Sequence, residues 1–189
     1  MRWPQRFYDL KRGEGCPFCA EGRPDETARG IRFFAGELTD AYLSRSGVQR
    51  GLSHLYFRGR HVVEPTELSA DEAPRFFAEL LQVGGAIERV FEPVKVNYDI
   101  LGNSVPHLHV HVIPRYADDP RPEWPFPFPA EEPPPFPDAE LRADAERLRA
   151  AVRQRSAAAS HSDRGGAAIS ASLSSIDAPA STRSCATAT

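Results

Sequence analysis

Residues 104–116 read Ser104-Val-Pro-His-Leu-His-Val-His-Val-Ile-Pro-Arg-Tyr116, placing three of the chain's six histidines within five positions. On a β-strand, side chains two apart point to the same face at intervals of roughly 7 Å. The alternation therefore predicts a strand with His107, His109 and His111 on one face and Leu108, Val110 and Val112 directed into a core. A lone histidine on a strand is usually an ordinary structural residue, but three on one face need another reason. Each buried imidazole wants hydrogen-bond partners for both ring nitrogens, which makes it a poor repeated space-filler. Two chemistries suit such a row. Neutral imidazoles at alternate positions can share a metal ion. Alternatively, one neutral ring attacks phosphorus while its neighbours orient it and steady charge on the phosphoryl oxygens.

The surrounding pattern predicts the rest of the domain. Segments 31–34, 41–46, 52–57, 94–101 and 107–113 are short, rich in β-branched or aromatic residues, and bounded by Gly, Asn or Pro. Between the third and fourth lies the clearest helix. It opens with Ser69-Ala-Asp-Glu72, a capping box, and continues to about Phe91 with a wide apolar face, although Gly84 and Gly85 weaken its middle. Several strands in succession with one long helix indicate an α+β domain with a largely antiparallel, five-stranded sheet, spanning residues 1–116.

Beyond it the composition changes twice. Nine of the 18 prolines fall in 117–137, which predicts an extended arm whose aromatics Trp124, Phe126, Phe128 and Phe136 pack over the domain, or else a stiff linker. Residues 138–155 carry Leu141, Leu148 and Val152 at helical spacing and predict a surface helix with one shallow apolar stripe. In 156–189, 24 of 34 residues are Ser, Ala, Gly or Thr, too little apolar surface to offset ordering, so a disordered tail is expected.

The charge balance, 23 basic against 26 acidic residues for a net charge of −3, argues against a nucleic-acid polymer as partner. No apolar run approaches the 18 or so residues of a membrane span, and the first residues lack the apolar stretch of a secretion signal, so a cytoplasmic location is expected.

The triad segment resembles the signature of the histidine triad (HIT) superfamily, His-x-His-x-His followed by apolar residues. The preceding Asn97-Tyr-Asp-Ile-Leu-Gly-Asn-Ser104 is similar to the strand and turn that lead into that signature, and the resemblance extends back through His61 to Cys16. It implies a nucleotide hydrolase or transferase that cleaves at an α-phosphate through a covalent nucleotidyl-histidine. Dinucleoside polyphosphates or nucleoside phosphoramidates would be the substrates, and the protein would be a homodimer joined edge to edge. Residue by residue, the resemblance makes His109 the nucleophile. His111 then bonds the phosphoryl group or leaving oxygen, and Ser104 donates to phosphate or leaving group. Asn97 and Asn103 become substrate-binding residues. Read as local structure alone, Asn97, Asn103 and Ser104 are turn residues between two strands.

Cys16-Pro-Phe-Cys19 is a C-x-x-C pair. Redox sites share this spacing, but they sit in a strand-to-helix unit that the pattern here does not offer. A structural zinc needs four ligands, and His61 and His107 are the candidates for the other two. The set resembles that of zinc-bearing HIT proteins, in which the first histidine of the motif binds metal and the next attacks. The resemblance weakens at Ser44, where many relatives carry an acidic residue that binds ribose, and at Arg50-Gly51-Leu52, which lacks the usual histidine. Tyr42, Phe33 and Phe34 are candidates to stack a base, and Arg58, Arg60 and Arg115 to attract polyphosphate; His54 receives no role. Two rival readings stay open: a zinc-dependent hydrolase with all three triad histidines as ligands, and a nucleotide-binding module without turnover whose arm docks partners.

Overall fold

The computed structural model describes residues 2–162. Five strands, β1 (Gly30–Ala35), β2 (Thr39–Ser44), β3 (Ser53–Phe57), β4 (Lys95–Asp99) and β5 (His109–Arg115), form one antiparallel sheet in the order β1-β2-β3-β5-β4. Short helices α1 (Gln5–Lys11) and α2 (Pro17–Ala20) precede it, α3 (Glu72–Phe91) joins β3 to β4, and α4 (Asp138–Ser162) ends the described chain. This is the α+β architecture expected from the strand spacing.

Alternation along the strands sorts the sheet into two faces. Leu43, Leu55, Val110 and Val112 point to one side, where Phe76, Leu80, Val83 and Ile87 of α3 cover them. Removing that apolar surface from water is the main driving force of the fold. The capping box forms as predicted: the Ser69 N–H donates to Glu72 Oε2 at 2.8 Å and the Glu72 N–H to Ser69 Oγ at 3.2 Å. Gly84 also has a packing reason, since a β-carbon there would lie 2.1 Å from the Tyr98 hydroxyl.

α4 differs from expectation. Its stripe is not shallow: Leu141, Ala145, Leu148, Ala151 and Val152 are buried in the main core. Alanines at helical spacing let α4 approach closely, and small residues carry a weak apolar signal in sequence. The helix also runs to Ser162, past the boundary drawn at 155; the remainder of the predicted tail, 163–189, lies outside the described residues. Among the described residues no helix is long and apolar enough to cross a membrane.

The other face of the sheet carries the polar and aromatic side chains. Register pairs His54 with His111 and Tyr56 with His109 on β3 and β5, and Tyr42 with His54 on β2 and β3. α2 covers part of this face, with Cys16 and Phe18 packed against Tyr42 and Tyr56.

Candidate active site and metal centre

The three triad histidines meet different surroundings along the strand, although Phe18 packs against both the His107 and the His109 ring. β5 begins at His109, and His107 precedes it. The His107 N–H turns back to Val105 O at 2.8 Å. Its imidazole, 2% exposed, gives Nε2–H to the Phe57 carbonyl at 2.9 Å and directs Nδ1 at two sulfurs, 3.5 Å from Cys16 Sγ and 3.5 Å from Cys19 Sγ. His61 Nδ1 lies 3.4 Å from Cys19 Sγ. All four ligand atoms of Cys16, Cys19, His61 and His107 fall within 4.8 Å of one another.

Tetrahedral zinc with Zn–S of about 2.3 Å and Zn–N of about 2.0–2.1 Å implies S···N separations of about 3.6 Å. The three observed S···N separations of 3.4–3.5 Å are close to that value. Both cysteines are free thiols. Burial, and then the neighbouring Cys16, push the Cys19 thiol up to about 11, while burial pushes His107 down to about 4. A protonated thiol beside neutral imidazoles is the arrangement that a divalent cation converts to thiolate. The Phe57 carbonyl fixes the His107 tautomer so that Nδ1 presents its lone pair. Among the described residues no other group of three or more His, Cys, Asp or Glu assembles in this way, so the reading of all three triad histidines as ligands of one ion finds no support in the geometry.

His109 is oriented differently. Its Nδ1–H donates to the His107 carbonyl at 2.6 Å, so the neutral ring carries its lone pair on Nε2. Phe18 meets it edge-on at 5.3 Å and Tyr56 stacks on it at 5.9 Å, which fixes the ring plane. His111 follows at 5.1 Å between centroids. A cavity of about 320 Å3 opens onto both rings; Ser104 and Asn103 line it from the loop before the triad, with Phe18 and Phe128 as apolar walls. The side chains predicted at the phosphate thus share one cavity, with one exception. Asn97 is absent from its lining and instead accepts at Oδ1 from Arg115 Nη1 at 2.5 Å.

His54, given no role by sequence, lies 4.7 Å from His111, ring edge to ring face. Burial, followed by the proximity of His111 and His109, pushes it down to about 3; burial pushes His111 down to about 4 and lowers His109. The site is therefore a set of neutral imidazoles at pH 7, with lone pairs available. No local pattern could have singled out His54, because only the β3–β5 register brings it to His111.

The other candidates take structural roles. Tyr42, Phe33 and Phe34 are buried. Arg58 pairs with Asp40 at 3.1 Å and donates to Phe18 O, Arg60 pairs with Glu72 at 2.6 Å, and Arg115 holds Asp119 and Asn97.

Comparison with known proteins agrees with this architecture. Residues 46–118 match the family model described as the HIT domain. A curated relative, "Protein hit" of Bacillus subtilis, is 29% identical over 109 residues, 55% of this chain and 73% of the relative. A histidine triad protein of Sinorhizobium meliloti is 27% identical with a TM-score of 0.58, over 64% of this chain and 87% of that one. A zinc-bound histidine triad family protein of Mycobacterium smegmatis, 20% identical with a TM-score of 0.52 over 76% of this chain and 95% of its own, shares the fold. Domain match, sheet topology and triad geometry converge: residues 46–118 match the HIT domain, and the chain shares the fold of histidine triad proteins.

Proposed function

We propose that the protein cleaves nucleotides at the α-phosphate, as hydrolase or transferase, through a nucleotidyl group carried covalently on His109. The observation that carries this reading is the 2.6 Å bond from His109 Nδ1 to the His107 carbonyl, which leaves Nε2 as the nucleophilic nitrogen of a ring lining the cavity. Nε2 forms the P–N bond while the bond from phosphorus to the leaving oxygen or nitrogen breaks. The leaving group carries off the electron pair and takes a proton from solvent. His111, neutral at pH 7, and Ser104 donate hydrogen bonds to the phosphoryl or leaving oxygen, and Asn103 adds an amide. Phosphoryl transfer depends on such positioned donors more than on a strong base. Water or another acceptor then breaks the P–N bond and restores the ring. Dinucleoside polyphosphates and nucleoside phosphoramidates are the substrate classes this chemistry fits.

Cys16, Cys19, His61 and His107 would hold a structural zinc. Bound there, it would fix the residue that orients the nucleophile, since His107 directs its side chain at the cysteine sulfurs and its carbonyl at His109.

The functional unit in this reading is a homodimer. β4 is an edge strand, and Val94, Tyr98, Ile100 and Leu101 on and beside it, like Phe77 and Leu81 of α3, are exposed apolar residues. Pairing two such edges removes both the open ladder and the apolar patch from water. Light scattering should give about twice the chain mass, and Leu81→Glu should shift it to the monomer; a monomeric wild-type chain defeats the dimer.

The test of the chemistry is rapid acid-free quenching of a nucleoside phosphoramidate reaction followed by peptide mass spectrometry. The expected adduct is one nucleotidyl group on the peptide holding His109, absent in His109→Ala. Undiminished turnover in that variant overturns the mechanism.

A further inference from the structure

The proline-rich arm crosses the mouth of the site and is held at both ends. At its start, buried Arg115 donates Nη2 to Arg121 O at 2.9 Å and Nη1 to Trp124 O at 3.1 Å, with its guanidinium 5.5 Å over the Phe126 ring. At its end, the Phe136 N–H donates to Arg45 O at 3.2 Å. Just before that, the Pro134 carbonyl passes so close to Gly47 that a β-carbon there would lie 2.0 Å from its oxygen.

Between these tethers Phe128 stands edge-on to Phe126 at 5.0 Å and meets the His111 ring at 5.7 Å. It lines the triad cavity and also a second, larger one of about 810 Å3 bounded by the arm and the end of β2. Phe128 is still 43% exposed, so packing alone does not account for an aromatic wall between two cavities. The larger cavity also carries Ser44, His54 and, from the arm, Glu132. Glu132 is the one carboxylate in its lining and has no hydrogen bond or ion pair among the described residues. The strand aromatics expected to stack a base are buried, and Ser44 stands where an acidic group was sought.

We infer that the arm is part of the ligand site: Phe128 supplies the stacking face for the base of a nucleoside, and Glu132 accepts its two vicinal hydroxyls. This rests on the nucleotidyl reading above. A nucleoside whose phosphate meets His109 extends past Phe128 into the larger cavity. A flat aromatic face accepts any base, so Phe128 sets affinity rather than base identity. A carboxylate presents two oxygens to a cis-diol, so Glu132 sets the preference for ribose over deoxyribose.

Calorimetry on the full chain with a ribonucleoside monophosphate and its deoxy counterpart, run beside steady-state turnover, tests this. Phe128→Ala should weaken both ligands about tenfold and raise KM by a similar factor, and Phe128→Tyr should restore affinity. The wild-type chain should prefer the ribose form about fivefold, and Glu132→Gln should abolish that preference. Gly47→Ala, which displaces Pro134 without removing a lining group, should weaken both ligands. Turnover with affinity and sugar preference unchanged in these variants overturns the inference and leaves the reaction standing. Tight binding lost in these variants, without turnover in the wild type, upholds the inference and overturns the reaction. A chain that binds no nucleotide overturns both.

Discussion

His107 and His109 are two residues apart and carry the same side chain, yet they are built into opposite circumstances. Both nitrogens of His107 are spoken for, Nε2 by the Phe57 carbonyl and Nδ1 by the cysteine sulfurs, and its ring is almost fully buried although Cys19 beside it is exposed. His109 has one nitrogen tied to a backbone carbonyl and a cavity in front of the ring. What distinguishes them is what packs around each ring: the cysteine sulfurs meet Nδ1 of His107, whereas His109 pairs in register with Tyr56 and lines the cavity. Identical residues at strand spacing are therefore not equivalent when different partners meet their ring nitrogens. In the proposed function the first is an anchor and the second a reagent.

The largest expected effect separates the two functions. His109→Ala should lower turnover by about ten-thousandfold, as removal of a nucleophile does, while zinc content by atomic absorption and the melting temperature stay close to wild type. A variant that loses metal or melts early would erase the distinction between anchor and reagent. The complementary change is Cys16→Ala. It should abolish zinc binding and lower the melting temperature by about 10 °C, a loss of roughly 3–4 kcal/mol for a chain of this size. Turnover per folded molecule should also fall, because the carbonyl that orients His109 belongs to a metal ligand. Full turnover in a zinc-free, folded Cys16→Ala chain would mean that the two histidines are uncoupled. A smaller effect is expected at the cavity's rim: Ser104→Ala should reduce kcat about tenfold with KM nearly constant, the signature of a hydrogen bond made mainly in the transition state.

The same contrast explains which parts of the molecule were legible in the sequence. Cys16, Cys19, His61 and His107 were readable because ligand chemistry restricts residue types severely and the C-x-x-C spacing is local. The capping box at Ser69 and Glu72, and the inward set Leu108, Val110 and Val112, were readable because their signals are also local and periodic. What escaped depends on long-range placement. His54 reaches His111 only through the β3–β5 register. Asn97 sits on β4, where its oxygen accepts from the Arg115 guanidinium, and it does not line the triad cavity. α4 looked superficial because Ala145 and Ala151 count for little in a hydropathy pattern until a neighbouring helix comes close. The arm's aromatics were visible as residues but not as walls, since proline-rich chain has no period to say which way a ring faces.

The smallest predicted effect concerns His54, the member of the imidazole group outside the triad. Burial, with help from His111, His109 and Arg29, holds its pKa near 3, against about 6.5 in the unfolded chain. The folded state therefore favours the neutral ring. The stability this contributes is complete above about pH 6.5 and is lost progressively as pH falls toward the folded value. His111, held near 4, titrates with the same sign. Because His54 is only partly buried by solvent access, its share between pH 7 and pH 5 should be modest, on the order of 1 kcal/mol. Thermal melts of zinc-loaded protein at pH 7, 6 and 5 should show His54→Asn losing less stability across that range than wild type, by about 2–4 °C. Carboxylates change little in this window, so the difference reports the imidazole. Parallel pH dependences in the two proteins would mean that His54 is solvated and its closeness to His111 carries no electrostatic weight.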